Sequence, residues 1–175
     1  NIMKRTKAQR WGNHTPLGGY VWGTTGCGKT LTSYKSGQLV TDKNYADKVI
    51  FVVDRVELSD QSFDEYNSFA RDGEPIKKSK NTHDLFRMLL NSKDRLIITS
   101  IQKLTRINEE KAKYVNQADV EKINGKRIVF IIDEAHRSQF GEMHERIKNT
   151  FVNALFIGFT GTPIFSENDK ADGMT

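Results

Sequence analysis

Three stretches, VIFVV at 49–53, LIIT at 96–99 and IVFII at 128–132, run without the polar alternation of a half-exposed strand. A strand that is apolar on both sides of its pleat must be covered on both faces, the condition of a parallel sheet between two helix layers. Two more β-branched or aromatic runs, at 19–23 and 154–160, extend the series, and the central three read as strands over 49–54, 95–99 and 127–133. Helical patterns fill the gaps. Residues 29–40 read as the helix that follows a glycine-rich turn, 57–70 and 82–91 carry apolar side chains at helical spacing, 105–125 reads as polar helix with loops, and 136–150 as a moderately amphipathic helix. Residues 71–80 hold Gly-Glu-Pro and a lysine cluster and read as an exposed loop. The expectation is an α/β fold: one three-layer sandwich with a mostly parallel central sheet of at least five strands.

At 175 residues the chain is long enough for one core. No apolar run approaches the roughly 18 residues of a membrane span, so no membrane partner is expected. The basic start, NIMKRTKAQR, is followed by no apolar segment and does not read as a signal peptide. The single cysteine, Cys27, excludes an internal disulfide framework and fits a reducing compartment. Four histidines without cysteine partners show no structural-zinc spacing. A net charge of +5 permits an anionic partner without requiring one. The clusters Lys4, Arg5, Lys7, Arg10 and Lys77, Lys78, Lys80 read as solvated segments rather than phosphate contacts.

The run GGYVWGTTGCGKTLTS, 18–33, places an apolar strand, a glycine-rich turn and a helix start in that order. From Gly23 to Thr30 it satisfies G-x-x-x-x-G-K-T. Glycines let successive N–H groups turn inward on an anion, and the helix that follows adds its N-terminal dipole. The predicted nucleotide site is therefore the whole loop: Gly23, Thr24, Thr25, Gly26, Cys27, Gly28, Lys29 and Thr30. Lys29 would reach the β and γ phosphates as the catalytic cation, and the Thr30 hydroxyl would ligate Mg²⁺. An accidental lysine after a glycine-rich turn is the bland alternative. Cys27 sits where a small residue suffices, with no paired base to make it a nucleophile.

Downstream, IVFII ends in Asp133-Glu134-Ala135-His136. A carboxylate at the carboxyl end of a parallel strand lands on the same sheet edge as the glycine loop. Asp133 can complete the Mg²⁺ shell opposite Thr30, and Glu134 can polarise the water that attacks a γ phosphate. An acidic cap on the next helix is the plainer alternative. His136 and His144 lack a third ligand, and Glu109-x-Lys111 lacks the preceding aspartate of a nuclease motif.

The ordered set of Gly23–Thr30, Asp133–His136 and Thr160-Gly161-Thr162-Pro163 resembles motifs I, II and III of the first RecA-like domain of superfamily 2 helicases and translocases. VVDRVELSDQ and ITSIQKL are similar to the motifs that lie between these. With RSQFGE and FIGFTGTPIF, the wording resembles the motor (R) subunit of Type I restriction–modification enzymes from about Gly18 to Phe165. The resemblance implies a RecA-like ATPase motor domain at 18–165, an N-terminal segment or linker at 1–17, and a C-terminal tail at 166–175 leading to a second motor domain not contained here. It implies ATP and Mg²⁺ as cofactors, double-stranded DNA and the modification and specificity subunits as partners, and a cytoplasmic protein of a bacterium or archaeon. It implies that His136, Thr160, Gly161 and Thr162 couple the nucleotide state to grip on DNA, and that Arg55, Gln61, Thr99, Ser100 and Gln102 face the DNA backbone. Such hydroxyl, amide and guanidinium groups hold phosphate and sugar without reading bases; for Thr99 and Ser100 helix capping is the alternative. Cys27 stands where these proteins often have serine, and no adenine-reading glutamine is assigned, Gln9 included.

Three rival readings share the glycine loop. A DEAD- or DEAH-type RNA helicase shares the ATP chemistry, but RSQFGE and VVDRVEL argue against it. A non-hydrolysing nucleotide switch would not need Glu134. A small-molecule kinase would not be expected to carry Asp-Glu-Ala-His followed by Thr-Gly-Thr-Pro.

Overall fold

The computed structural model describes residues 2–9, 11, 18–24, 26–53, 58–70, 75–114, 117–133, 146–151 and 153–161, with backbone alone at 58–62, 108–114 and 117. The elements in chain order are α1 (Ile2–Ala8), β1 (Gly19–Trp22), α2 (Lys29–Asp42), β2 (Lys48–Val53), α3 (Leu58–Phe69), β3 (Lys77–Lys78), α4 (Thr82–Leu90), β4 (Leu96–Ser100), α5 (Ile101–Tyr114), α6 (Gln117–Asn124), β5 (Ile128–Ile132) and β6 (Ala154–Thr160). Residues 146–150 form a further helical turn.

The strands form one sheet in the order β1-β6-β5-β2-β4-β3, every pairing parallel. Strands β2, β4, β5 and β6 are buried at every position, and the pleat divides their side chains between two cores. Ile50, Val52, Ile97, Phe130, Ile132 and Phe156 pack with α4, α5 and α6 residues such as Leu85, Leu104 and Ile123. Val49, Phe51, Val53, Ile98, Ile131 and Phe159 pack on the other side with Ile2, Tyr34, Val40 and Tyr66 of α1, α2 and α3. Alternate residues of each apolar run thus serve opposite helix layers, which is why the runs show no polar alternation.

Helix α2 lies close against β2. A Cβ added at Gly37 would stand 2.7 Å from Phe51 Cζ and 3.1 Å from Val49 Cγ1. Glycine inside a helix costs about 1 kcal/mol relative to alanine, so this approach explains why one is kept there. Phe51 cannot retreat, because its ring is buried and lies 4.6 Å from that of Tyr66. Gly37→Ala should therefore lose more by overpacking than it gains in propensity. We expect a net destabilisation of about 1–2 kcal/mol in urea unfolding; an unchanged or raised midpoint would show that α2 can lift from the sheet.

One segment differs from the sequence expectation, and two others gain definition. Residues 71–80 were expected as an exposed loop, yet Lys77–Lys78 form β3 on the edge of the sheet, flanked by buried Ile76 and Ser79. Two residues are too few for a hydrophobic period to show. In the stretch expected as linker, α1 buries Ile2 and Thr6, and Arg5 Nη1 donates to Gly18 O just before β1. The basic cluster of Lys4, Arg5 and Lys7 therefore rides on a docked helix. The polar stretch 105–125 belongs to two helices, α5 and α6, and α5 is anchored by Ile101, Leu104 and Ile107 at a spacing of three.

Lys48 is 1% exposed, and its Nζ donates to Met88 O (2.8 Å), Asn91 O (2.6 Å) and Asp94 O (2.6 Å). Lys126 Nζ adds bonds to Leu89 O and Leu90 O, both 2.7 Å. Two ammonium groups thus satisfy the unpaired carbonyls at the end of α4, where the helix dipole favours positive charge. Burial, with Lys126 adding to it, pulls the Lys48 ammonium down to about 8.

Candidate nucleotide-phosphate site

Strands β1, β6 and β5 lie side by side, so their carboxyl ends bring three sequence motifs to one sheet edge. Trp22 is in register with Thr160, and Gly158 with Ile132. At the end of β1, Gly23 N donates to Thr160 O at 3.1 Å. The exposed Trp22 indole reaches over to donate to Gly161 O at 3.4 Å. At the end of β5, Asp133 N donates to Val52 O at 3.1 Å, which ties that carboxylate's backbone to β2.

Between β1 and α2 the chain turns through two left-handed residues, Gly26 (φ 80°) and Gly28 (φ 79°). Side chains rarely adopt this conformation, and glycine does so at no steric cost. Cys27 N closes the turn on Thr24 O at 3.2 Å. Cys27 itself is a free, exposed thiol, and its sulfur lies over Gly23, 2.6 Å from where a Cβ would stand. The Lys29 ammonium folds back to donate to Gly23 O (3.1 Å) and Thr24 O (3.4 Å), which places it at the mouth of the loop.

The start of α2 is suited to an anion. Its N-cap, Gly28, offers no side-chain acceptor, and the first turn carries no acidic residue. Helix α4 shows the usual alternative: Asn81 accepts from Asp84 N at 2.8 Å, and Asp84 supplies a first-turn carboxylate. At α2 no acceptor for the N–H groups of the first turn is found among the described residues, which suits them to an anion. With Lys29 alongside and Thr30 next to it, the donor set fits a nucleotide's phosphates and their Mg²⁺.

Of the other expected site residues, Thr160 is buried and Gly161 lies beside the loop. Thr25, Glu134, His136 and Thr162 lie outside the described residues, as does Arg55; Gln61 falls in α3, where only its backbone is described. The expected DNA-facing hydroxyls are covered. Thr99 and Ser100 are both 0% exposed, and Thr99 Oγ1 accepts from Ser79 Oγ at 2.8 Å. Both sit at the end of β4, a strand flanked by β2 and by β3, and the β3 edge was not visible in the sequence. Gln102 is half-buried in the first turn of α5. Beside it Lys103 Nζ donates to Ser79 O at 2.6 Å, and burial, then the charge of Lys78, pulls its ammonium below the usual lysine range. Among the described residues no cluster of histidine, cysteine and carboxylate has the makings of a metal centre of its own. Next to the site lies a pair that no sequence motif marks, Ser33 and Tyr66, whose hydroxyls are 2.9 Å apart.

The family model that matches this chain is that of the SWI2/SNF2 ATPases, and it matches residues 1–174. The chain belongs to the SWI2/SNF2 ATPase family. This SWI2/SNF2 chain is 46% identical over 157 residues to the Type I restriction enzyme SauCOLORF180P endonuclease subunit of Staphylococcus aureus (strain COL), covering 90% of this chain and 16% of that one. Among solved structures, the SWI2/SNF2 fold matches the Pyrococcus furiosus Hef helicase domain with a TM-score of 0.60 at 18% identity, over 98% of this chain and 34% of that one. It also matches a nuclease-deletion mutant of the Type ISP restriction–modification enzyme LlaGI, solved with a DNA substrate mimic, with a TM-score of 0.57 at 23% identity, over 84% and 16%. At these identities the structural likeness is one of fold. Among the described residues no helix is long and apolar enough to cross a membrane.

Proposed function

We propose that the chain is the first motor domain of a Type I restriction enzyme subunit, hydrolysing ATP to draw double-stranded DNA past itself. One observation supports this most: a glycine loop with open first-turn amides, Lys29 at its mouth, and Asp133 and Thr160 on neighbouring strand ends of the same edge. The kinship with restriction endonuclease subunits supplies the DNA. Because the chain spans 16% of that relative's length, translocation, the modification and specificity subunits, and a bacterial or archaeal cytoplasmic setting belong to the proposal.

In this reading Gly23 to Thr30 wrap the triphosphate, with Lys29 drawn from its loop carbonyls onto the β and γ phosphates. Thr30 and Asp133 hold Mg²⁺, which neutralises charge on the phosphate oxygens. Glu134 accepts a proton from the attacking water. Phosphoryl transfer needs positioning and charge more than covalent chemistry, which a rigid strand edge supplies. His136, Thr160, Gly161 and Thr162 sense the γ phosphate. Arg55, Gln61 and Gln102 hold the DNA backbone, and Thr99 and Ser100 form the buried footing beneath that contact.

The decisive measurement is ATPase activity of the intact subunit with Mg²⁺ and different nucleic acids. Stimulation by duplex DNA, lost in the Lys29→Ala variant, is expected. Stimulation by RNA and not by duplex DNA would favour an RNA helicase, and tight ATP binding without turnover would favour a nucleotide switch. The 175-residue chain alone is expected to show at most trace ATPase, because the transition-state arginine of this reading comes from a second motor domain.

A further inference from the structure

Ser33 lies one turn beyond Lys29 and Thr30 on α2 and is 3% exposed. Its hydroxyl donates to Thr30 O at 2.8 Å. A serine has one proton to give, so toward Tyr66, 2.9 Å away, Ser33 Oγ accepts and the phenol donates. A chain of bonds therefore runs from Tyr66 Oη to Ser33 Oγ to the carbonyl of Thr30. Tyr66 belongs to α3, the helix whose first turns include Gln61.

Packing does not account for the Tyr66 hydroxyl. Its ring sits with those of Tyr34 (6.0 Å) and Phe51 (4.6 Å), and a phenylalanine would fill the same space. Burying a phenol has a desolvation cost that its hydrogen bond only offsets. The Tyr34 hydroxyl, in the same cluster, has no hydrogen-bond partner among the described residues, so a ring here can be held by packing alone. Burial keeps the Tyr66 phenol well above its ordinary range; the Ser33 bond opposes this shift and the charge of Asp133 adds to it. Tyr66 is thus a protonated donor that feels the carboxylate expected to share Mg²⁺ with Thr30.

We propose that Tyr66 is a positioning residue for the metal–nucleotide site: through Ser33 it fixes the first turn of α2 around Thr30, and so links the placement of α3, and any DNA held there, to Mg²⁺–nucleotide binding. The inference rests on the function proposed above. The aromatic cluster packs α2 against α3, and the hydrogen bonds carry the last step from that packing to Thr30, the residue proposed to meet the metal.

The test uses the intact subunit and a fluorescent non-hydrolysable ATP analogue, titrated with Mg²⁺ in the presence and absence of duplex DNA. Tyr66→Phe should raise the half-saturating Mg²⁺ concentration by about two- to tenfold, the worth of one buried hydrogen bond, and reduce the effect of DNA on nucleotide affinity. Ser33→Ala should do the same, and the double variant should be no worse than either single one. Tyr34→Phe, which removes a phenol without a partner, should leave the titration unchanged. Wild-type Mg²⁺ and DNA responses in Tyr66→Phe, with or without a lower melting temperature, would overturn the proposal while the ATPase reading stood. Failure of the wild-type subunit to bind the analogue in a Lys29-dependent way would overturn both.

Discussion

Replacing Lys29 with alanine should lower the DNA-stimulated ATPase rate of the intact subunit by at least about 10²–10³-fold. That is the typical worth of one preorganised group aimed at charge that develops in the transition state. The fold should survive. Among the described residues the Lys29 ammonium bonds to the loop carbonyls of Gly23 and Thr24, and α2 is held by Ser33, Tyr34, Gly37, Val40 and Thr41, which face inward. Far-ultraviolet circular dichroism and the melting temperature should therefore match the wild type while turnover is lost. A variant that keeps its DNA-stimulated ATPase would remove Lys29 from the phosphate site, and the reading of the 23–30 loop would fall with it.

The second large effect is expected at Glu134. It follows Asp133 directly in the chain, at the end of the strand that lies one place from β6 and two from the loop strand β1. An amide at this position keeps the size and hydrogen-bonding reach of the carboxylate but cannot take a proton from water. Glu134→Gln should therefore bind ATP and Mg²⁺ as the wild type does and hydrolyse roughly 10²–10⁴-fold more slowly. A filter-binding measurement alongside single-turnover kinetics separates the two. Hydrolysis at the parental rate would assign the water to another group. Weakened binding with unchanged turnover of the bound nucleotide would make Glu134 a metal ligand.

The strands were legible because burial on both faces leaves a signature nothing else in the chain imitates: VIFVV, LIIT and IVFII became β2, β4 and β5 within a residue or so at each end. The glycine loop was legible for a related reason, since left-handed backbone at Gly26 and Gly28 and a lysine at the helix start leave little choice of residue. What stayed hidden depends on contacts between distant segments. Strand β3 is two residues long and exists through its pairing with β4. The burial of Thr99 and Ser100 follows from the neighbours β4 gains in the sheet, β2 on one side and the segment of β3 with Ser79 on the other, which the order of strands in the chain does not reveal. Ser33 and Tyr66 are 33 positions apart and meet only after α2 and α3 have packed on the same face.

The pleat of β5 has a consequence beyond packing. Ile128, Phe130 and Ile132 serve one core while Val129 and Ile131 serve the other, and Asp133 follows as the next step of the same alternation. Inserting or deleting one residue within Ile128–Ile132 would exchange the two sets on one side of the change and, in the function proposed above, shift Asp133 from the place where it is to meet Mg²⁺ with Thr30. In that reading, folding and catalysis depend on a single count along the chain. A strand of altered length then has no neutral intermediate, because the change that breaks the core would also displace the carboxylate proposed for the metal.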